Sequence, residues 1–280
     1  MSVASSSGGA RLLHVVLVGA GRMGSAMARG WLGDLGSAGI GKLSVVEPAP
    51  GEDVLAAASE KLIALNPAPE PADIVVLAVK PQGFAAMAGE LKAWVGPQTL
   101  VLSIMAGMTI ARIASALGSD RVARAMPNTP GAIGLGVTGY ALSDSCGNEE
   151  AIATGQLLEP LGLVVGPLAE TQMDAVTAVS GSGPAYVFLL AEALADAGRA
   201  AGLDAATALA LARETVIGAG ALLGEFAESP AELRKQVTSP GGTTAAALSV
   251  LMAEGGLPDL MRKAVDAAVR RGAELARAAD

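Results

Sequence analysis

The segment Gly19-Ala20-Gly21-Arg22-Met23-Gly24 comes directly after the apolar run Val15-Val16-Leu17-Val18, and nothing else in this chain constrains its fold as tightly. Three glycines at this spacing between a buried strand and a helix have separate tasks. Gly19 permits the tight turn, Gly21 leaves the backbone open to a pyrophosphate, and Gly24 lets helix and strand pack closely. Arg22 and Met23 open the helix beside the phosphate position; a solvated helix-start arginine is an equal reading of Arg22. The fingerprint also asks for an acidic residue near the end of the next strand, and Glu47 stands there. A carboxylate at that point accepts ribose hydroxyls and repels a 2′-phosphate, which favours NADH over NADPH. The alternative is an exposed glutamate beside Pro48.

The segments beyond the fingerprint agree with it. Short β-branched runs at 12–18, 43–46, 74–79, 99–103, 122–125, 137–141 and 163–165 alternate with helical stretches near 22–35, 52–64, 82–93, 109–117 and 148–160. Ile74-Val75-Val76-Leu77-Ala78-Val79 is apolar throughout, as a strand covered on both faces must be. The fold class expected is α/β, a Rossmann-type doubly wound parallel sheet. From about Glu170 the strands stop. Helices are expected at 170–180, 184–201, 204–225, 230–237, 243–254 and 257–278, with Asp204 and Ser229 as N-caps and Pro184, Pro230 and Pro258 near starts. The division expected is a disordered tail at 1–10, a dinucleotide-binding domain at 11–169 and an all-helical domain at 170–280.

Charge and cysteine content exclude several classes. Lys+Arg 19 against Asp+Glu 27 gives a net charge of −8, which argues against nucleic acid and anionic membranes as partners. The single Cys146 forms no intrachain disulfide and has no companions for a metal site, so a reducing, cytoplasmic setting is expected. The apolar stretches are broken by charge, Tyr186–Leu194 by Glu192 and then Asp196, so no membrane span is expected. The one histidine, His14, stands at the start of the first strand, which makes histidine acid–base chemistry a poor reading.

A second anion site is written into the helical half. Ser180-Gly181-Ser182-Gly183-Pro184-Ala185-Tyr186 opens one helix, and Ser239-Pro240-Gly241-Gly242-Thr243-Thr244 opens a later one. A simple cap needs one hydroxyl. Two glycines followed by two threonines leave room for a small carboxylate at the backbone.

Together these segments resemble pyrroline-5-carboxylate reductases. The likeness runs over nearly the whole chain, through GAGRMG, AVKPQ, SIMAG, RAMPNTP, SGSGPAY and SPGGTT, the last being the most specific. The resemblance implies reduction of 1-pyrroline-5-carboxylate to L-proline by NAD(P)H, the last step of proline biosynthesis. It implies Thr244 as the catalytic contact to the substrate nitrogen, and Ser239, Gly242 and Thr243 around the substrate carboxylate. Val79, Lys80, Pro81, Ala106 and Asn128 would border the nicotinamide and its ribose, and Asn66 the adenosine. It implies a homodimer with interleaved helical domains, assembled further into a ring such as a decamer. Glu47 departs from family members with small hydroxyl or basic residues there, which bears on the cofactor choice.

Other readings stay open on the residues alone. A β-hydroxyacid dehydrogenase shares the first fingerprint but needs a lysine on the helix that here reads Pro184-Ala185-Tyr186-Val187-Phe188-Leu189-Leu190-Ala191-Glu192. An imine reductase for another ring and a non-catalytic NAD(H) sensor or scaffold are the remaining two.

Overall fold

Residues 11–36 and 39–278 are described by the computed structural model, so the tail expected at 1–10 lies outside the described residues. Strands β1 (Leu13–Val18), β2 (Ile40–Val46), β3 (Ala64–Leu65), β4 (Ala72–Leu77), β5 (Val95–Ser103), β6 (Val122–Met126), β7 (Gly136–Leu142) and β8 (Gly162–Leu168) form one sheet. Its order is β3-β2-β1-β4-β5-β6-β7-β8. Helices α1 (Arg22–Gly33), α2 (Glu52–Ser59), α3 (Pro81–Leu91), α4 (Ile110–Leu117) and α5 (Asn148–Leu158) connect them.

The two-residue period of a strand sends alternate side chains to opposite faces, and both faces are dry. Val15, Leu17, Val76 and Leu102 pack with Met27 and Trp31 of α1 and with Leu157 and Leu158 of α5. Val16, Val18, Val75, Leu77 and Val101 pack with Phe84 and Leu91 of α3 and Ile113 and Leu117 of α4. Trp31 Nε1 donates to Leu157 O at 3.0 Å, so its one polar atom is satisfied inside the core.

Two features differ from the expected parallel sheet. β3 is a two-residue strand beside β2, too short to leave a run in the sequence. β7 lies antiparallel to β6. A parallel return needs a crossover of about a dozen residues or more. The link between β6 and β7 holds only a 3₁₀ turn, Thr129–Ile133. β8 then returns parallel to β7 after α5.

The helix expected at 170–180 is not continuous. A 3₁₀ turn (Glu170–Gln172) leads into the one-turn helix α6 (Met173–Val176) and then a π-helical turn, Thr177–Gly181. Met173 is buried in the sheet's second core, and Glu170 accepts the Ile110 N–H at 2.7 Å. This segment belongs to the first compact unit, which runs to Gly181 and takes in the described residues from Arg271 onward; Ser182–Arg270 is the second.

The second unit contains α7 (Gly183–Ala200), α8 (Ala205–Glu225), α9 (Pro230–Gln236), α10 (Thr243–Leu251) and most of α11 (Leu257–Ala278). Asp204 caps α8 by accepting the Ala206 and Thr207 N–H groups, and Ser229 caps α9 in a reciprocal box with Glu232. Gly198 lets α7 approach α8, since a Cβ there would stand 3.3 Å from Ala208 Cβ. Little else is covered: Ala208 and Ala212 are the buried residues of α8, while Leu211 and Ile217 are 56% and 54% exposed. By length and mean hydropathy alone, Glu170–Ala200 and α8 reach what a membrane-crossing helix needs. Glu192, Asp196, Arg213 and Glu214 interrupt that apolar surface.

Candidate active site

The C-terminal ends of β1, β2, β4 and β5 meet at one edge of the sheet, where the strand order reverses between β1 and β4. Ladder bonds continue past the strands there, from Gly19 N–H to Val46 O (2.9 Å), Ala78 N–H to Val18 O (2.8 Å) and Ile104 N–H to Leu77 O (3.0 Å). The three glycines of the first loop then separate by task. Gly19 has φ +92°, and a Cβ on it would lie 2.8 Å from Ala78 O. A Cβ on Gly24 would stand 2.1 Å from Gly19 O. Gly21 has nothing within 4 Å of its Cβ position. The protein itself therefore demands glycine at 19 and 24 but not at 21, where open space lies at the start of α1. No side chain caps that helix, so its first N–H groups and its dipole are available to an anion. These residues fit the pyrophosphate of a dinucleotide.

Glu47 is half-buried just beyond β2, and its carboxylate is already engaged. Oε2 accepts the Ala20 N–H at 2.8 Å and Oε1 the Ala49 N–H at 3.0 Å. Asn66, at φ +46°, holds Glu47 from behind, accepting its N–H (2.8 Å) and donating to its carbonyl (2.9 Å). The pair fixes the rim of the glycine loop. Residue spacing along the chain gives no sign of the Ala20 contact, because it depends on how the two loops meet in space.

The remaining expected cofactor residues lie along the same edge. Arg22 is exposed on the first turn of α1. Val79 and Lys80 lead from β4 into α3, which Pro81 starts. Ala106 is exposed in the turn after β5. Asn128, after β6, accepts the Val137 N–H through Oδ1 at 3.0 Å. Met23 and Asn128 come together in a cavity of about 230 Å³ that Ile104, Met126, Pro127, Thr129 and Gly181 also line. Ile104, Met126, Pro127 and Thr129 belong to the strand-end segments expected to line the crevice, and Gly181 to the glycine-rich start of α7, though none of them is singled out from the sequence as a cofactor contact.

In the second unit, Ser239–Gly242 forms a turn closed by Gly242 N–H to Ser239 O at 3.1 Å, with Gly241 at φ +72°. Gly242 is the N-cap of α10 and Thr243 and Thr244 its first residues. No side chain caps this helix either. A Cβ on Gly242 would stand 2.8 Å from Ser239 Oγ, so glycine keeps that hydroxyl beside the helix start. Among the described residues no three His, Cys, Asp or Glu side chains stand together as a metal site.

Comparison with known proteins agrees with both halves. Residues 170–275 match the family described as pyrroline-5-carboxylate reductase dimerisation. A pyrroline-5-carboxylate reductase of Pseudomonas aeruginosa is 38% identical over 269 residues, 94% of this chain and 97% of its own. The chain belongs to the pyrroline-5-carboxylate reductase family.

Residues 14–107 match the family described as NADP oxidoreductase coenzyme F420-dependent. A solved pyrroline-5-carboxylate reductase from Coxiella burnetii superposes with a TM-score of 0.84 at 34% identity, covering 94% of this chain and 98% of its own. A pyrroline carboxylate reductase from Plasmodium falciparum, solved with NADP bound, gives 0.74 at 26% identity, covering 96% and 100%. Family membership makes the chain an NAD(P)H-dependent oxidoreductase with a Rossmann-like domain and a helical dimerisation domain. The apolar surface of α7 and α8 lies within the dimerisation segment.

Proposed function

We infer that this chain reduces 1-pyrroline-5-carboxylate to L-proline, the final step of proline biosynthesis. The observation that carries this reading is the glycine-opened, uncapped start of α10, bearing Ser239, Thr243 and Thr244, in a chain related to these reductases over almost its full length. The first-turn N–H groups of α10, with the Ser239 and Thr243 hydroxyls and the Gly242 backbone, hold the substrate carboxylate. The Thr244 hydroxyl bonds the ring nitrogen and orients the C=N bond. NAD(P)H, when bound, supplies the hydride that the imine carbon accepts. The ring nitrogen arrives protonated, so the amine forms without a strong side-chain acid, and positioning supplies much of the rate. Gly21, Arg22 and the start of α1 take the pyrophosphate. Gly19 and Gly24 shape that loop, and Val79, Lys80, Pro81, Ala106, Met23 and Asn128 border the nicotinamide and its ribose. Asn66 stands on the adenosine side.

Cofactor choice, assembly and setting complete the same reading. Glu47, a carboxylate fixed at the rim of the loop, favours NADH over NADPH by repelling a 2′-phosphate. The working form is a homodimer, built further into a ring such as a decamer, in which the SPGGTT loop of one subunit serves the cofactor of the other. The enzyme works in the cytoplasm, in keeping with its unpaired Cys146.

Oxidation of NADH and of NADPH, monitored with pyrroline-5-carboxylate as acceptor, tests this reading. Wild type should turn over, faster with NADH. Thr244→Ala should lose roughly 10- to 100-fold in kcat/KM, the worth of a hydrogen bond to a charged group. Glu47→Gln keeps an acceptor for Ala20 and should raise the NADPH rate relative to NADH. Absence of turnover from a dimer that binds NADH would sink the assigned substrate.

A further inference from the structure

The π-helical turn Thr177–Gly181 ends at the strand-end cavity, and its hydroxyls bond back along the chain. Thr177 Oγ1 donates to Met173 O at 2.8 Å and Ser180 Oγ to Val176 O at 2.9 Å, each bonding back to the carbonyl four residues earlier. The turn delivers Gly181 against Met126, the last residue of β6. A Cβ on Gly181 would stand 2.8 Å from Met126 Cε, with Thr177 Cγ2 next at 3.6 Å. The positive-φ glycines of this chain do not include Gly181, so an alanine there meets a steric neighbour and no backbone strain.

The neighbour is the far end of a flexible thioether, which moves at small cost. Where it moves is set by its surroundings. Met126 pairs with Gly139 of β7, and over Gly139 the side chain of Val176 lies so close that a Cβ would stand 2.7 Å from its Cγ1. Behind Met126 is the packed second core. The open side is the cavity that Met126 lines with Met23, Asn128 and Gly181.

We propose that Met126 and Gly181 act as a pair that sets the free room of this cavity, and with it the fit of the nicotinamide end of the cofactor and the ring facing it. The pair holds a positioning role: Gly181 keeps the Met126 methyl withdrawn. This rests on the proposed assignment of the cavity to the cofactor.

Three variants decide it: Gly181→Ala, Met126→Ala and the two combined. Each is tested by NADH titration, by kcat and KM, and by thermal unfolding. Gly181→Ala should raise the NADH dissociation constant and KM about tenfold while the melting temperature moves by less than about 3 °C. Adding Met126→Ala should return both constants to those of Met126→Ala alone, a coupling that independent sites do not show. Unchanged NADH binding in Gly181→Ala, or a combined variant that binds NADH more weakly than Met126→Ala alone, overturns the proposal. If wild type binds NADH yet reduces no pyrroline-5-carboxylate, the substrate reading fails, and the titrations still decide the pair.

Discussion

The two compact units treat their apolar residues in opposite ways. In the first, Leu17, Val76, Leu102 and Met27 are wholly buried by the unit's own strands and helices. In the second, α8 runs for 21 residues with Ala208 and Ala212 as its buried positions, while Phe188 of α7 is 67% exposed. A sheet covered on both faces supplies its own core. A set of long helices with apolar residues on several sides needs another surface, and the match to a dimerisation family names a second subunit as that surface. One unit buries its apolar residues within itself; the other leaves many of its own exposed.

The strongest way to break this contrast is to charge the exposed face. Leu211 and Leu222 lie about three turns apart on one side of α8. Leu211→Asp with Leu222→Asp should abolish the dimer, because desolvating two unpaired carboxylates costs several kcal/mol each. Activity should fall at least about 100-fold, and NADH should still bind the first unit. Sedimentation velocity alongside turnover checks this; an intact, active dimer would remove α8 from the interface.

Next in size is a matched pair of truncations. Leu17→Ala should cost about 2–5 kcal/mol at any protein concentration. Leu222→Ala should give a melting temperature that rises with protein concentration, as mass action at an interface requires. Identical concentration dependence in the two variants would erase the distinction.

Within the first unit the glycines divide between folding and binding. Gly24→Ala should impair folding, because its Cβ collides with Gly19 O. Gly21→Ala should leave the melting temperature near that of wild type and weaken NADH binding about tenfold. Calorimetry and titration on both variants separate these outcomes.

The smallest effect concerns charge. Glu150 is buried on α5, accepting the Gly147 N–H at 2.7 Å and pairing with Arg121. The Gly147 N–H, ahead of Arg121, holds its carboxyl below the usual glutamate range. A depressed folded value stabilises the protein above the unfolded value and ceases to do so as pH falls through the folded one. Glu150→Gln should therefore cost about 1 kcal/mol at pH 7, with the deficit closing as pH falls below the ordinary glutamate range and through the depressed folded value. Stability curves at neutral and strongly acid pH test this. Asp204 and Glu232 in the second unit are also held low, by Thr207 and by Ser229, but both are solvated caps.

Much of the site could be read along the chain because its signals are local. A helix start needs particular residues at fixed offsets, so Gly19, Gly21 and Gly24, the caps Asp204 and Ser229 and the opening of α10 at Thr243 are visible without any tertiary information. The Glu47 carboxylate on Ala20, the placing of Gly181 against Met126 and the antiparallel β7 had no such signature. Each depends on how far one segment travels before meeting another.

The sequence by itself determined the strand–glycine loop–helix unit, the alternation that makes a doubly wound sheet, and the two anion-ready helix starts, since these arise from side-chain period and backbone freedom over a few residues. The tertiary structure alone decided that β7 reverses, that the 170–181 segment opens into a π turn, and that Met126, Asn128 and Gly181 share one cavity. Those outcomes come from connection length and close packing, which join residues far apart in sequence and leave no period in it to read.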